Sequence, residues 1–170
     1  MEKKFLFVTL DALAIDVAWQ VSREGNSVKM FVDSDDSRDV GDGLIEKVDD
    51  WKKEVEWADV IVFDDVLGQG AKADKLRKAG KAVIGGTPYT DQIEDDRGFG
   101  QEELKRHGIS ILSYQTFTDF DEAIAYIKVH PGRYVFKPSG EAANLKRLLF
   151  VGIDDDGTDV IGLMEAYKRV

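Results

Sequence analysis

Phe5-Leu6-Phe7-Val8-Thr9-Leu10 is the stretch on which the architecture turns. Six residues of unbroken apolar and β-branched character match a strand in length and lack the polar alternation of a half-exposed one, so they predict a strand buried on both faces. Working outward, Ala12, Ile15, Val17, Ala18, Trp19 and Val21 recur at helical spacing up to Gly25, with Asp11 placed to cap the helix. Ser27 to Val32 is a second strand. The unit is therefore strand, helix, strand. A version that grips a dinucleotide carries G-x-G-x-x-G at the first turn, but the turn here is Thr9-Leu10-Asp11-Ala12-Leu13-Ala14, without glycine, so no dinucleotide site is expected there.

The same grammar continues downstream. Residues 33 to 43 are polar and hold Asp33, Asp35, Asp36, Asp39 and Asp42, but without the ligand spacing and closing glutamate of an EF-hand, so a solvated loop is expected. Asp49 to Ala58 reads as a short helix with Trp51, Val55 and Ala58 on one face, and Val60 to Phe63 as a third buried strand. That strand delivers Asp64 and Asp65 to its carboxyl end, ahead of Gly68-Gln69-Gly70. Ligands gather at this edge of a parallel sheet, which makes Asp64, Asp65 and Gly68 candidate binding residues; acidic groups there equally serve a helix N-terminus. A helix from Ala71 to Ala79, a strand at Ala82 to Ile84 and the turn Gly85-Gly86-Thr87-Pro88 complete a small, mostly parallel, three-layer α/β domain over residues 1–88, Rossmann-like in plan.

Bulk properties narrow the classes. With 170 residues and 43% hydrophobic content the chain can bury a real core. A net charge of −10 and a pI near 4.7 argue against a nonspecific hold on nucleic acid or on acidic membranes, because both need a basic surface. The absence of cysteine excludes disulfides, thiolate metal sites and cysteine nucleophiles. Neither a signal peptide nor a membrane span is recognisable, so a cytoplasmic protein is expected.

After Pro88 the pattern changes. A charged helix is expected from Asp91 to His107, then a strand at Ile111 to Tyr114 and a helix from Thr118 or Asp119 to about Lys128. Arg133-Tyr134-Val135-Phe136-Lys137-Pro138-Ser139-Gly140 reads as a strand ending in lysine and breaking into a turn. A polar loop to Arg147, a strand at Leu148 to Val151, a tight turn at Asp154 to Gly157 and a helix from Val160 to Lys168 follow. Lys137 either meets an anion where its strand stops or simply reaches solvent. His107 and His130 sit at a helix end and a turn, where structural roles are expected. No serine or threonine has a recognisable base partner, so covalent catalysis is not expected.

Several of these segments together resemble the N-terminal part of the ATP-grasp ligases, most closely the phosphoribosylamine–glycine ligases of purine biosynthesis. Gly85-Gly86-Thr87-Pro88 is similar to the turn that ends the family's first domain. Arg97-Gly98-Phe99 through His107-Gly108-Ile109 resembles its next helix, and Tyr114 to Asp119 with Asp121-Glu122-Ala123 its following strand and helix. Val135-Phe136-Lys137 looks like the strand bearing the nucleotide lysine.

The resemblance implies a pre-ATP-grasp domain at 1–88, followed at 89–170 by a partial ATP-grasp α+β subdomain, the lid. It implies ATP as ligand, with Lys137 and Arg97 on its phosphates and Ser139, Gly140, Glu141 and Lys146 in the loop that closes over them, and Asp11, Asp64, Asp65 and Gly68 facing the acceptor. That loop has one early glycine where the family's is glycine-rich, leaving Lys146 and Arg147 either to supply charge or to be solvated. The hinge for adenine and the large subdomain that holds magnesium have no counterpart, so Mg2+ is expected only if a missing part, in a separate chain or domain, completes the fold. No catalytic residue is assigned. The function implied is the N-terminal portion of an ATP-dependent carboxylate–amine ligase; the alternatives are a non-catalytic nucleotide- or phosphate-binding protein or subunit, and an interaction domain with neither ligand.

Overall fold

The computed structural model describes residues 1–64, 68–139 and 148–169. The chain divides into two compact units, Met1–Asp95 and Asp96–Val170.

In the first unit five parallel strands lie in the order β3-β2-β1-β4-β5. These are β1 (Lys4–Thr9), β2 (Ser27–Val32), β3 (Glu46–Lys47), β4 (Val60–Phe63) and β5 (Ala82–Ile84). β1 is central, pairing Phe5 to Thr9 with Val28 to Val32 on one side and Phe5 to Val8 with Val60 to Phe63 on the other. Its alternation feeds two cores. Phe7 packs with Met30, Val32 and Ala18 of α1 (Ile15–Arg23), while Leu6 and Val8 pack with Ile61, Phe63 and Ala73 of α2 (Gly70–Lys78). A strand buried on both faces needs an apolar residue at every position, and this accounts for the unbroken run.

Two expectations are corrected here. Asp11 is exposed and does not cap α1; the N-cap position is Ala14, whose N–H donates to Asp64. The helix expected at 49–58 is a single 3-10 turn, Trp51–Glu54, capped by Asp50, with Trp51 edge-on to Phe63 of β4. β3 adds a strand at Glu46–Lys47, between the loop expected at 33–43 and the helix expected from 49, where no element was expected; at two residues it is too short to show a period.

α3 (Pro88–Asp95) closes the unit. Its start is locked by a reciprocal pair: the Thr90 N–H donates to Thr87 Oγ1 at 3.2 Å and the Thr87 N–H to Thr90 Oγ1 at 2.7 Å.

The second unit starts at α4 (Arg97–Arg106), so the single helix expected over 91–107 is two. The break is Asp96, extended at φ −103° and ψ 96°, whose side chain accepts from the Phe99 N–H and restarts the helix. Residues 111–114, expected as a strand, make no ladder, and Leu112 is almost fully exposed. α5 (Phe120–Val129) follows, capped by Asp119. β6 (Val135–Phe136) and β7 (Phe150–Val151) form an antiparallel pair and α6 (Thr158–Tyr167) ends the unit. Ala123, Ile124 and Ile127 of α5 pack on Val160 and Met164 of α6, with Tyr134, Phe136 and Phe150 laid on them from the strands.

The turn before α6 is fixed by carboxylates. Asp159 accepts from the Ile153 and Asp154 N–H groups and Asp156 from the Thr158 N–H, which lowers the pKa of both below the ordinary 3.8. Gly157, at φ 80°, lies so close to the Ile127 side chain that a Cβ would stand 2.6 Å from it.

Candidate functional site

Two regions carry the candidate residues, one in each unit. In the first, the carboxyl ends of β1 and β4 form the switch point of the sheet, since β1 leads through α1 to β2 while β4 leads through α2 to β5. Asp64 follows β4 directly, half-buried, with Oδ2 2.8 Å from the Ala14 nitrogen. Asp11 is exposed beyond the end of β1. Gly68 is exposed at φ 68°, a conformation that suits glycine. Asp65 lies outside the described residues.

The composition of the sequence did not reveal what surrounds the turn at Gly85. The Arg77 guanidinium donates to the Gly85 and Gly86 carbonyls at 2.6 and 2.7 Å, and Asp91, buried to 9% exposure, accepts from the Gly70 N–H at 2.9 Å. A Cβ on Gly70 would stand 2.3 Å from the Thr87 carbonyl, so glycine is required where α2 begins. The Thr87-Pro88 start signal announced α3, but nothing in the residue pattern pointed Asp91 at a neighbouring helix.

In the second unit, β6 turns Tyr134 and Phe136 toward the core and leaves Val135 and Lys137 exposed. Val135 pairs with Val151, and the two are 52% and 60% exposed. Lys137 therefore stands at the end of an outward apolar surface flanked by exposed Leu149 and Ile153. It makes no ion pair or hydrogen bond with another described residue. Arg97, the first residue of α4, is likewise exposed and unpaired among the described residues. Ser139 is exposed; Gly140, Glu141, Lys146 and Arg147 lie outside the described residues. Among the described residues no group of three or more His, Cys, Asp or Glu could hold a metal ion, and no helix is long and apolar enough to cross a membrane. His130 stacks on Tyr126 and His107 ends α4 near Glu103, both at helix ends.

This α/β unit followed by a small two-stranded α+β unit is the fold of the N-terminal region of ATP-grasp ligases. Two solved structures carry that likeness: N5-carboxyaminoimidazole ribonucleotide synthetase from Thermotoga maritima, with TM-score 0.61, 18% identity, and coverage of 93% of this chain and 43% of that one; and N5-carboxyaminoimidazole synthetase from Staphylococcus aureus complexed with ADP, with TM-score 0.60, 18% identity, and coverage of 97% and 45%. In sequence the chain resembles the N-terminal part of phosphoribosylamine–glycine ligases. It is 37% identical to the one from Streptococcus pneumoniae over 79 residues, 46% of this chain and 19% of that protein. With that of Pasteurella multocida it shares 28% identity over 152 residues, 82% of this chain and 35% of that protein. The chain thus spans about a third of these relatives or less. No family model matches it.

Proposed function

We propose that this chain is the N-terminal portion of an ATP-dependent carboxylate–amine ligase and that its second unit receives the nucleotide. The observation that carries this is Lys137: a cation at the exit of a strand, on the exposed edge of an apolar two-stranded surface, with no partner among the described residues. A purine ring is flat and apolar and its phosphates are anionic. Val135 and Val151 offer it a surface, and Lys137 offers the phosphates a point charge at one end. Arg97 supplies a second cation from α4, able to hold two phosphate oxygens at once.

In such a ligase a carboxylate is activated as an acyl phosphate and an amine then attacks it. The task of these residues is to bind and orient the triphosphate and to offset charge on the transferred group. Magnesium, when bound to a complete ligase of this type, supplies further charge neutralisation. The described residues contain no donor set for it, so a completing chain or domain would have to bring one. The protein is read as acting in the cytoplasm.

The test is binding of labelled ATP to the full chain with and without Lys137→Ala. The expected result is weak, saturable binding that the substitution removes. Equal binding by both proteins would assign the nucleotide elsewhere. A non-catalytic nucleotide-binding subunit is the second reading, favoured by the sequence after Lys137, which carries one early glycine where a phosphate-closing loop is glycine-rich. Turnover after adding a polypeptide that completes the fold would exclude it.

A further inference from the structure

Between α4 and α5, residues 109–117 run without a turn or a bend. Both ends are tied down: the Ile109 N–H donates to the Leu104 carbonyl at 2.9 Å, and the Phe117 ring leans on Tyr126 of α5 with centroids 5.5 Å apart. Between those anchors the backbone N–H and C=O groups of residues 110–117 meet no partner among the described residues, although the composition is that of a strand. Large apolar side chains accompany them into water. Leu112 is 90% exposed, and Ile109, Tyr114 and Phe117 are exposed as well.

Exposed strand edges are ordinarily guarded by charge, since a lysine or a carboxylate on the edge stops another chain from adding to it. Here the guard is missing. Charged residues make up 33% of the chain, yet residues 108–118 contain none, the longest such run in the sequence. That bears on what can sit there. At a net charge of −10 two copies of the chain repel each other over most of their surface, and a neutral stretch is where they approach at least cost. The stretch is also complementary to itself. Laid antiparallel about Ser113, it sets Leu112 opposite Tyr114, Ser110 opposite Thr116 and Ile109 opposite Phe117, so aliphatic side chains meet aromatic ones and hydroxyls meet hydroxyls. Ile111 opposite Gln115 is the one departure.

We infer that residues 109–117 are a self-association edge: a second copy of this chain adds to it as an antiparallel strand, with a two-fold axis at Ser113. The contact is isologous, each copy supplying the same backbone groups, so it closes at two. The dimer is a weak one, because a single pair of short strands falls short of the roughly 1,200 Å² that stable interfaces bury. The ligase reading is not needed for it.

The experiment places a probe on the axis. The chain has no cysteine, so Ser113→Cys introduces a single one, at an exposed position where the fold does not depend on the side chain. The pairing sets the two copies of residue 113 face to face, within reach of a disulfide, and holds Ser110→Cys roughly 20 Å from its copy. Under mild oxidation Ser113→Cys is expected to give a covalent dimer on the order of tenfold faster than Ser110→Cys. Sedimentation of the wild type up to millimolar concentration should show the mass rising from 19.0 kDa toward twice that value. Ser113→Glu sets two carboxylates opposite each other and should weaken the association about tenfold, and mixing it with Ser113→Lys should restore it. A wild type that stays monomeric throughout overturns the inference and leaves the edge to a different partner. Equal cross-linking at the two cysteines overturns it too, as does a dimer that Ser113→Glu leaves intact.

Discussion

The two units differ in what they have done with their polar groups. In the first, side chains at the functional edge are spent on the fold: Asp64 and Asp91 hold two helix starts and Arg77 holds the Gly85-Gly86 carbonyls. In the second, Lys137 stands exposed beside uncovered apolar surface, and Arg97 is exposed at the start of α4. An edge satisfied from within has little left to offer a ligand. One that leaves a cation and a hydrophobic face to water gives up stability that only a bound partner can return.

The sharpest way to break the contrast is in the cores. Phe7→Ala, at the centre of β1, is expected to cost about 3–5 kcal/mol in chemical denaturation, and Ile127→Ala in the second unit about 2–5 kcal/mol. Lys137→Ala should change stability by no more than about 0.5 kcal/mol while abolishing ATP binding. A nucleotide at a hundred times its dissociation constant should raise the stability of the wild type, and not of that variant, by roughly 2.7 kcal/mol.

Asp64→Ala removes a helix cap and should cost about 0.5–2 kcal/mol by denaturant melting, with Asp64→Asn costing less because it keeps an acceptor for the Ala14 amide. The smallest effect lies at the start of α6. Asp156 and Asp159 have folded pKa values lowered from 3.8 by backbone N–H donors, so their contribution is complete above the unfolded value and is lost as pH falls through the lower folded one. The protection of the Thr158 and Val160 amides, measured relative to intrinsic exchange at each pH, should therefore fall below about pH 4 and stay flat above it.

Much of the first unit was legible because its strands are buried on both faces: the runs at 5–10 and 60–63 announce themselves, and Gly25 and Gly80 mark helix ends at φ 86° and 85°. The contacts that define its edge were not legible. Asp64 caps a helix fifty residues earlier, and the pairing of Asp91 with Gly70 spans twenty-one, distances over which no local pattern operates. In the second unit the strands are only two residues long and the ladder ends at once, so Ile111 to Tyr114, with good strand composition, found no partner among the described residues. Lys137 was visible from its place at a strand end. Its setting on an apolar face required the pairing of Val135 with Val151.

An ATP titration of the full chain, mapped residue by residue through amide chemical shifts, tests the central claim most directly. Saturable shifts at Val135, Lys137, Val151 and Arg97, with Ala14 and Gly70 unmoved, are the predicted result. Shifts concentrated at Ala14 and Gly70, or none at Lys137 under saturating nucleotide, would contradict it.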